Sequence, residues 1–224
     1  MKIAPITKVL LLVLLASAAL AAEERKPDVS KLASKVDQHY NALKSMRSQF
    51  TESYNGVGTS RKESGTLWLK QPGKMRWEYA EPRKKLFISD GKTAWFYVPG
   101  EQQARRAPVS KIDDIRSPLR FLLGKTKLMK EFRELGFAAN ITPVNPGDYV
   151  LRGSPKEMED RLSMVVLEVT AEGRIDRIML EEVDGAVTDF RFENEVENVQ
   201  VADSLFKFQP PEGVEVVEAT ELGD

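Results

Sequence analysis

The chain has no cysteine and a single histidine, His39, in 224 residues. Without cysteine no disulfide can brace it, so the fold must rest on its own core. With one histidine and no cysteine, neither transition-metal binding nor Ser-His or Cys-His catalysis is expected, nor is a cofactor. His39 itself reads as a bystander on a helix flank. No phosphate-binding loop, dinucleotide fingerprint or acidic calcium loop is found. Charge of one sign is lacking too. Lys and Arg number 33 against 34 Asp and Glu, a formal net charge of -1, which argues against nucleic acid as a target. Aromatic residues make up an ordinary 8%, and no repeat of fixed period occurs.

The one long apolar run, "VLLLVLLASAAL", follows Lys2 and Lys8 and ends at Ala19-Leu20-Ala21. It is shorter than the roughly 20 residues that span a bilayer, and the small residues fit a cleavage site. Residues 1–21 therefore read as a secretory signal peptide and residues 22–224 as one domain, long enough to build a core. Loss of Lys2 and Lys8 moves the net charge from -1 to -3. A lipid-anchored product would need Cys as its first mature residue, so a soluble exported protein is expected.

In "DVSKLASKVDQHYNALKSM", Val29, Leu32, Val36, Tyr40 and Leu43 recur at helical spacing, and Asp28 can cap the N-terminus. The spacing predicts an amphipathic helix from 28 to about 46. From Gln49 the period becomes two. "GTLWLK" and "KMRWEY" flank Gln71-Pro72-Gly73, and "KLFIS" and "TAWFYV" flank Asp90-Gly91. "RLSMVVLEV" and "RIDRIML" flank Ala171-Glu172-Gly173, and "VTDFRFE" follows Asp184-Gly185. About ten or eleven strands joined by tight hairpins predict one large curved antiparallel sheet or barrel. The stretch "NGVGTSRKESG", residues 55–65, reads as a polar loop. A short apolar helix is expected in "SPLRFLLG", with Ser117 as cap, Pro118 at its first position and Gly124 at its end.

Read by alternation, one strand face collects Leu67, Leu69, Met75, Trp77, Tyr79, Leu86, Ile88, Trp95, Tyr97, Leu167, Val169, Ile178, Leu180, Phe190 and Phe192. The other collects Lys70, Lys74, Arg76, Glu78, Glu168, Asp189, Arg191 and Glu193. One face is thus dry and one wet. Trp68, Phe87 and Phe96 fall on the nominally wet face, where they could meet a satellite cluster, a partner or a bulge. Whether the dry face is packed solid or hollow stays open at this level. The paired acids Asp113-Asp114 and Glu181-Glu182 could serve a carboxylate-dependent hydrolase, but they fall near expected loops and strand ends. A binding or scaffold role without enzymatic activity is the reading that remains.

Three blocks, "GTLWLKQPGKMRWEY" at 65–79, "SDGKTAWFYVP" at 89–99 and "LFKFQPPEGVEVVE" at 205–218, resemble the periplasmic outer-membrane lipoprotein carriers of the LolA type. With the signal peptide, the first helix and "SPLRFLLG", the similarity spans the mature chain. It implies a mainly β fold, an unclosed antiparallel barrel of about eleven strands lidded by helices, whose dry face lines a hydrophobic cavity that binds acyl chains. It further implies a monomeric periplasmic chaperone that takes acylated lipoproteins from an inner-membrane ABC transporter and passes them to an outer-membrane acceptor. The alternative on the same fold is a free-lipid carrier or a lipoprotein-sensing protein. In the carrier picture Leu32, Val36 and Leu43 of the first helix, with Leu119, Phe121 and Leu122 of "SPLRFLLG", form the lid. Better-known carriers have Arg before the Pro of the hairpin turn, as a latch to that lid. Here the position is Gln71, which offers two neutral donors where Arg offers five charged ones.

Overall fold

The computed structural model of the chain describes residues 28–111, 122, 127–219 and 222. The leader 1–21, the acids Asp113 and Asp114, and the 117–124 helix apart from Leu122 lie outside the described residues.

The first element is the helix α1 (Val29–Ala42), and Asp28 caps it by accepting from the backbone N–H groups of Ser30 and Lys31. It stops short of the expected residue 46, because Leu43 is already extended and a strand begins at Ser45. The strands are β1 (Ser45–Gly56), β2 (Thr59–Lys70), β3 (Lys74–Glu81), β4 (Lys85–Asp90), β5 (Thr93–Tyr97) and β6 (Gln103–Pro108). The short helix α2 (Leu128–Glu131) precedes β7 (Phe132–Phe137), β8 (Tyr149–Pro155), β9 (Leu162–Val169), β10 (Ile175–Glu182), β11 (Val187–Glu197) and β12 (Glu215–Glu218). The expected polar loop at 55–65 is a tight hairpin instead, with only Val57 and Gly58 between β1 and β2. Polar residues there mark a solvated hairpin tip, not a loss of strand.

All described strands form one 12-stranded sheet in the order β12-β6-β5-β4-β3-β2-β1-β11-β10-β9-β8-β7. Neighbours are antiparallel except β12 and β6, which run parallel. The sheet ends at β7 and β12 and does not close. Its inner face and α1 share one core cluster, in which Leu32, Ala33, Val36, Tyr40 and Leu43 of the helix are buried with Trp77, Leu167, Ile178 and Phe190 of the sheet.

Two facts seat α1. The Tyr40 hydroxyl accepts a 2.9 Å hydrogen bond from the Ile175 N–H, and Lys35 Nζ donates to the Ala171 carbonyl at 2.6 Å. Between these anchors Gly173 turns with φ +97, and a Cβ there would lie 2.6 Å from the Lys35 carbonyl carbon.

The outer face is not uniformly wet. From Val199 onward the chain crosses it as a strap. Lys70 and Lys74 reach Asp203 at 2.6 and 2.8 Å, and their hydrogen bonds hold its carboxyl down at about 2. Arg76 donates to the Leu205 carbonyl, Phe206 is buried, and Phe208 lies against Trp95 and Tyr97 before β12 joins β6. On the other half, the segment after β7 covers a small cluster of Ala138, Val150 and Val166. It also covers Glu168, assigned to the wet face but fully buried, whose carboxylate accepts from the Asn145 N–H at 2.8 Å.

Gly173→Ala should lower stability by at least about 2 kcal/mol, from a strained positive φ plus a backbone clash with α1. Urea denaturation checks the magnitude, and faster amide exchange in α1 at subdenaturing urea checks that the helix is what has been displaced.

Candidate functional site

The hairpin β2–β3 pairs Leu67 with Trp77, Leu69 with Met75 and Gly65 with Tyr79. Directly opposed residues share a face, so these side chains line one side together. Register carries the face onward: Phe50 opposes Phe192, and Ile178 opposes both Phe190 and Leu167. Trp77 sits at the centre. Phe50 approaches it edge-on at 4.6 Å between ring centroids, with Phe190 at 5.8 Å and Phe192 at 6.3 Å. Trp77, Leu67, Val169 and Ile178 are 0% exposed, and Leu32, Val36 and Tyr40 of α1 are buried in the same cluster.

Leu67, Leu69, Met75, Trp77, Tyr79, Leu167, Val169, Ile178, Leu180, Phe190 and Phe192 all belong to this inner cluster. Leu86, Ile88, Trp95 and Tyr97 do not share their face. Trp77 opposes Phe87 and Phe87 opposes Phe96, whereas Ile88 opposes Arg76 and Trp95. The assignment along β4 and β5 is therefore inverted: Phe87 and Phe96 point inward, and Leu86, Ile88, Trp95 and Tyr97 lie on the outer side. These two strands are apolar on both sides because the strap covers the outer one, and alternation carries no phase in such a run. Trp68 opposes Arg76 and stays outside. Alternation read from Gln49 also missed Met46 and Phe50, inner residues of β1 that the same period two would reveal from Ser45.

Of the lid residues, Leu32, Val36, Leu43 and Leu122 are buried in the cluster, and Leu119 and Phe121 lie outside the described residues. Gln71 Nε2 donates to the Tyr40 carbonyl at 2.9 Å. That carbonyl lies in the last turn of α1, where helical partners run out, so Gln71 ties the end of the helix to the β2–β3 turn with one neutral hydrogen bond.

At the hairpin-tip end of the inner face the wall turns polar. Lys85 and Glu63 are each 7% exposed at the side chain and meet at 2.8 Å. The Tyr79 hydroxyl donates to the buried Glu52 at 2.7 Å, and Lys85 Nζ lies 4.6 Å from the Tyr79 ring centroid. Period-two reading could not find this pair, because a charged residue at an inward position looks like a break in the strand. In the apolar centre one group is unmatched: the Trp77 Nε1–H is buried without a hydrogen-bond partner, at a cost of about 1–3 kcal/mol. Glu181 and Glu182 lie at the end of β10, with Glu181 opposite Val187. His39 lies near Glu195 and Glu197.

Residues 39–209 match the family model described as outer membrane lipoprotein carrier protein LolA. An outer-membrane lipoprotein carrier protein of Nitrosospira multiformis is 34% identical over 158 residues, covering 69% of this chain and 72% of its own length. The same-named protein of Alkalilimnicola ehrlichii is 31% identical, with 81% of each chain covered. That of Chromobacterium violaceum is 27% identical over 91% of this chain and 96% of its own.

Lys85→Met should destabilise the protein by about 3 kcal/mol, because the buried Glu63 loses its closest cation and keeps the more exposed Arg61 at 3.6 Å. The double variant Glu63→Leu with Lys85→Met should recover most of that loss in urea denaturation. Equal losses for the single and the double change would show that the pair is not what the polar end depends on.

Proposed function

The chain belongs to the LolA family of outer membrane lipoprotein carriers, and from that membership we propose how its inner face works. The protein is a non-enzymatic carrier of the cell envelope. Its inner face receives the acyl chains of a lipoprotein released by an inner-membrane ABC transporter, shields them across the periplasm, and yields them to an outer-membrane acceptor.

One observation carries this reading: among the described residues, a continuous apolar sheet face, centred on Trp77, is covered by the 14-residue helix α1, with Leu122 and Leu128 beside it, and by no second sheet. Such a cover can move as one piece. Each acyl methylene moved into water costs about 0.8 kcal/mol, so a lipoprotein with two or three chains needs an apolar surface of this extent to leave its membrane. In the empty protein the described residues of that surface are buried together with α1. Opening it costs free energy that is subtracted from binding, which keeps apparent affinity low enough for release without a nucleotide. Hydrogen bonds from Gln71 to the Tyr40 carbonyl, from the Ile175 N–H to the Tyr40 hydroxyl and from Lys35 to the Ala171 carbonyl tie α1 to the sheet and turns beneath it. The Trp77 Nε1–H is positioned to donate to an ester or amide carbonyl of the incoming anchor.

The test is release of a tagged lipoprotein from inner-membrane vesicles that contain the transporter. A soluble one-to-one complex with the purified mature protein is expected, and its absence with a working transporter would overturn the reading. Gln71→Ala should speed amide exchange in the last turn of α1 in the empty protein by a few-fold, corresponding to loss of a hydrogen bond worth about 1 kcal/mol. Unchanged exchange there would remove Gln71 from the closing mechanism.

A further inference from the structure

The lone histidine is not isolated in space. His39 Nε2 lies 3.4 Å from Glu197 Oε1 and 4.0 Å from Glu195 Oε1, and one ligand atom from each of the three fits within a 4.8 Å cluster. Glu195 is the unusual member. Its side chain is 7% exposed, and neither carboxylate oxygen has a hydrogen-bond partner. His39 Nε2 is buried and also without a hydrogen bond. Arg174, a cation whose charge acts on Glu195, is engaged by Asp176 through two hydrogen bonds of 2.7 and 3.0 Å.

A local device aims these acids. Along β11, Phe190 and Phe192 face inward, and strict alternation would turn Glu195 and Glu197 to the outside. Between the pairs Gln49 with Glu193 and Arg47 with Val196 the register shifts, and Asn194 takes φ 53. The bulge inverts the phase, so Glu197 opposes the inner residue Met46 and both acids turn to the side of α1. Such bulges re-aim side chains. This one is fastened: buried Ser48 donates to the Glu193 carbonyl at 2.9 Å and Asn194 Nδ2 to Gln49 Oε1 at 2.7 Å. Downstream, Asn198 accepts from the Lys44 N–H and donates its own N–H to the Ser45 carbonyl. The backbone on both sides is thus held before any ligand arrives.

We propose that His39, Glu195 and Glu197 form a binding site for a first-row divalent cation of the zinc type, which fastens the last turn of α1 to the end of β11. Zinc binds imidazole nitrogen and carboxylate oxygen at about 2.0–2.2 Å, so tetrahedral ligand atoms stand roughly 3.3 Å apart. The 3.4 Å separation fits, and a small rotation of Glu195 closes the 4.0 Å one. Three protein ligands leave one position, on the side of the half-exposed Glu197, for water. The imidazole selects against calcium and magnesium, which take oxygen ligands. Position favours a cation twice over: the C-terminal end of α1 carries partial negative charge, and the Glu195 and Glu197 carboxylates lie together beside His39. The site stands independently of what the inner face carries.

The experiment titrates untagged, chelator-treated mature protein with zinc chloride at pH 7.5 in a calorimeter. One saturable zinc per chain is expected, with magnesium silent at the same concentration. His39→Gln and Glu195→Gln should each weaken binding by about tenfold or more, and Glu197→Gln, on the exposed rim where folding is not at risk, should weaken it also. Zinc should shift the His39 ring resonances and slow amide exchange in the last turn of α1 in the wild type only. Absence of saturable heat, or binding that survives both His39→Gln and Glu197→Gln, would overturn the proposal.

Discussion

The inner face of an unclosed sheet must be covered. Twelve strands joined mostly by hairpins give a wide concave surface with Trp77 at its centre, and the ends at β7 and β12 never meet to seal it. Leaving that surface in water would cost about 25 cal/mol for each Å². The remaining architecture answers to this requirement. α1 lies across the face, Leu122 and Leu128 join its cluster, and the aromatic rings close on one another where the helix does not reach.

Cover on the outside has a different origin. The strap from Val199 to β12 runs over β2 to β6, held by Lys70 and Lys74 on Asp203 and by Phe208 against Trp95 and Tyr97. It makes one half of the sheet apolar on both sides and firm. The inner cover is tied by hydrogen bonds with Gln71, Ile175, Ala171 and Leu128, and the outer one by a buried Phe206, ring contacts and a parallel strand pair. This difference fits the proposed carrier function, in which the inner face opens while the sheet stays intact. It also explains why polar groups inside gather at an end, where Lys85, Glu63, Glu52 and Tyr79 satisfy each other away from the apolar centre.

The two ends of α1 are treated unequally. Asp28 caps its start by itself. Its last turn receives Gln71 from the β2–β3 turn and lies next to the acids that the β11 bulge turns inward. Control over the helix therefore concentrates at one place, where β1 begins, β11 ends and the strap departs.

Much was legible in the sequence, because it is written locally. The Asp28 cap, the spacing of Leu32, Val36 and Tyr40, the Pro-Gly and Asp-Gly turns, and the alternation in "WLKQPGKMRWEY" follow from backbone geometry and solvent. The three blocks also identified the LolA family. What tertiary structure alone decided is phase and company. Leu86, Phe87 and Ile88 are all apolar, so only hydrogen-bond register to β3 chooses which one faces Trp77. Only the strap makes an outward Trp95 tolerable. Glu63 with Lys85, and His39 with Glu195, are partners far apart along the chain, and a charge brings no sign of its partner until the sheet has folded. The sequence by itself determined the elements and their apolar stripes, since each depends on neighbours within a few residues. Which stripes face each other depends on register, a bulge and a returning terminus, all of which are long-range.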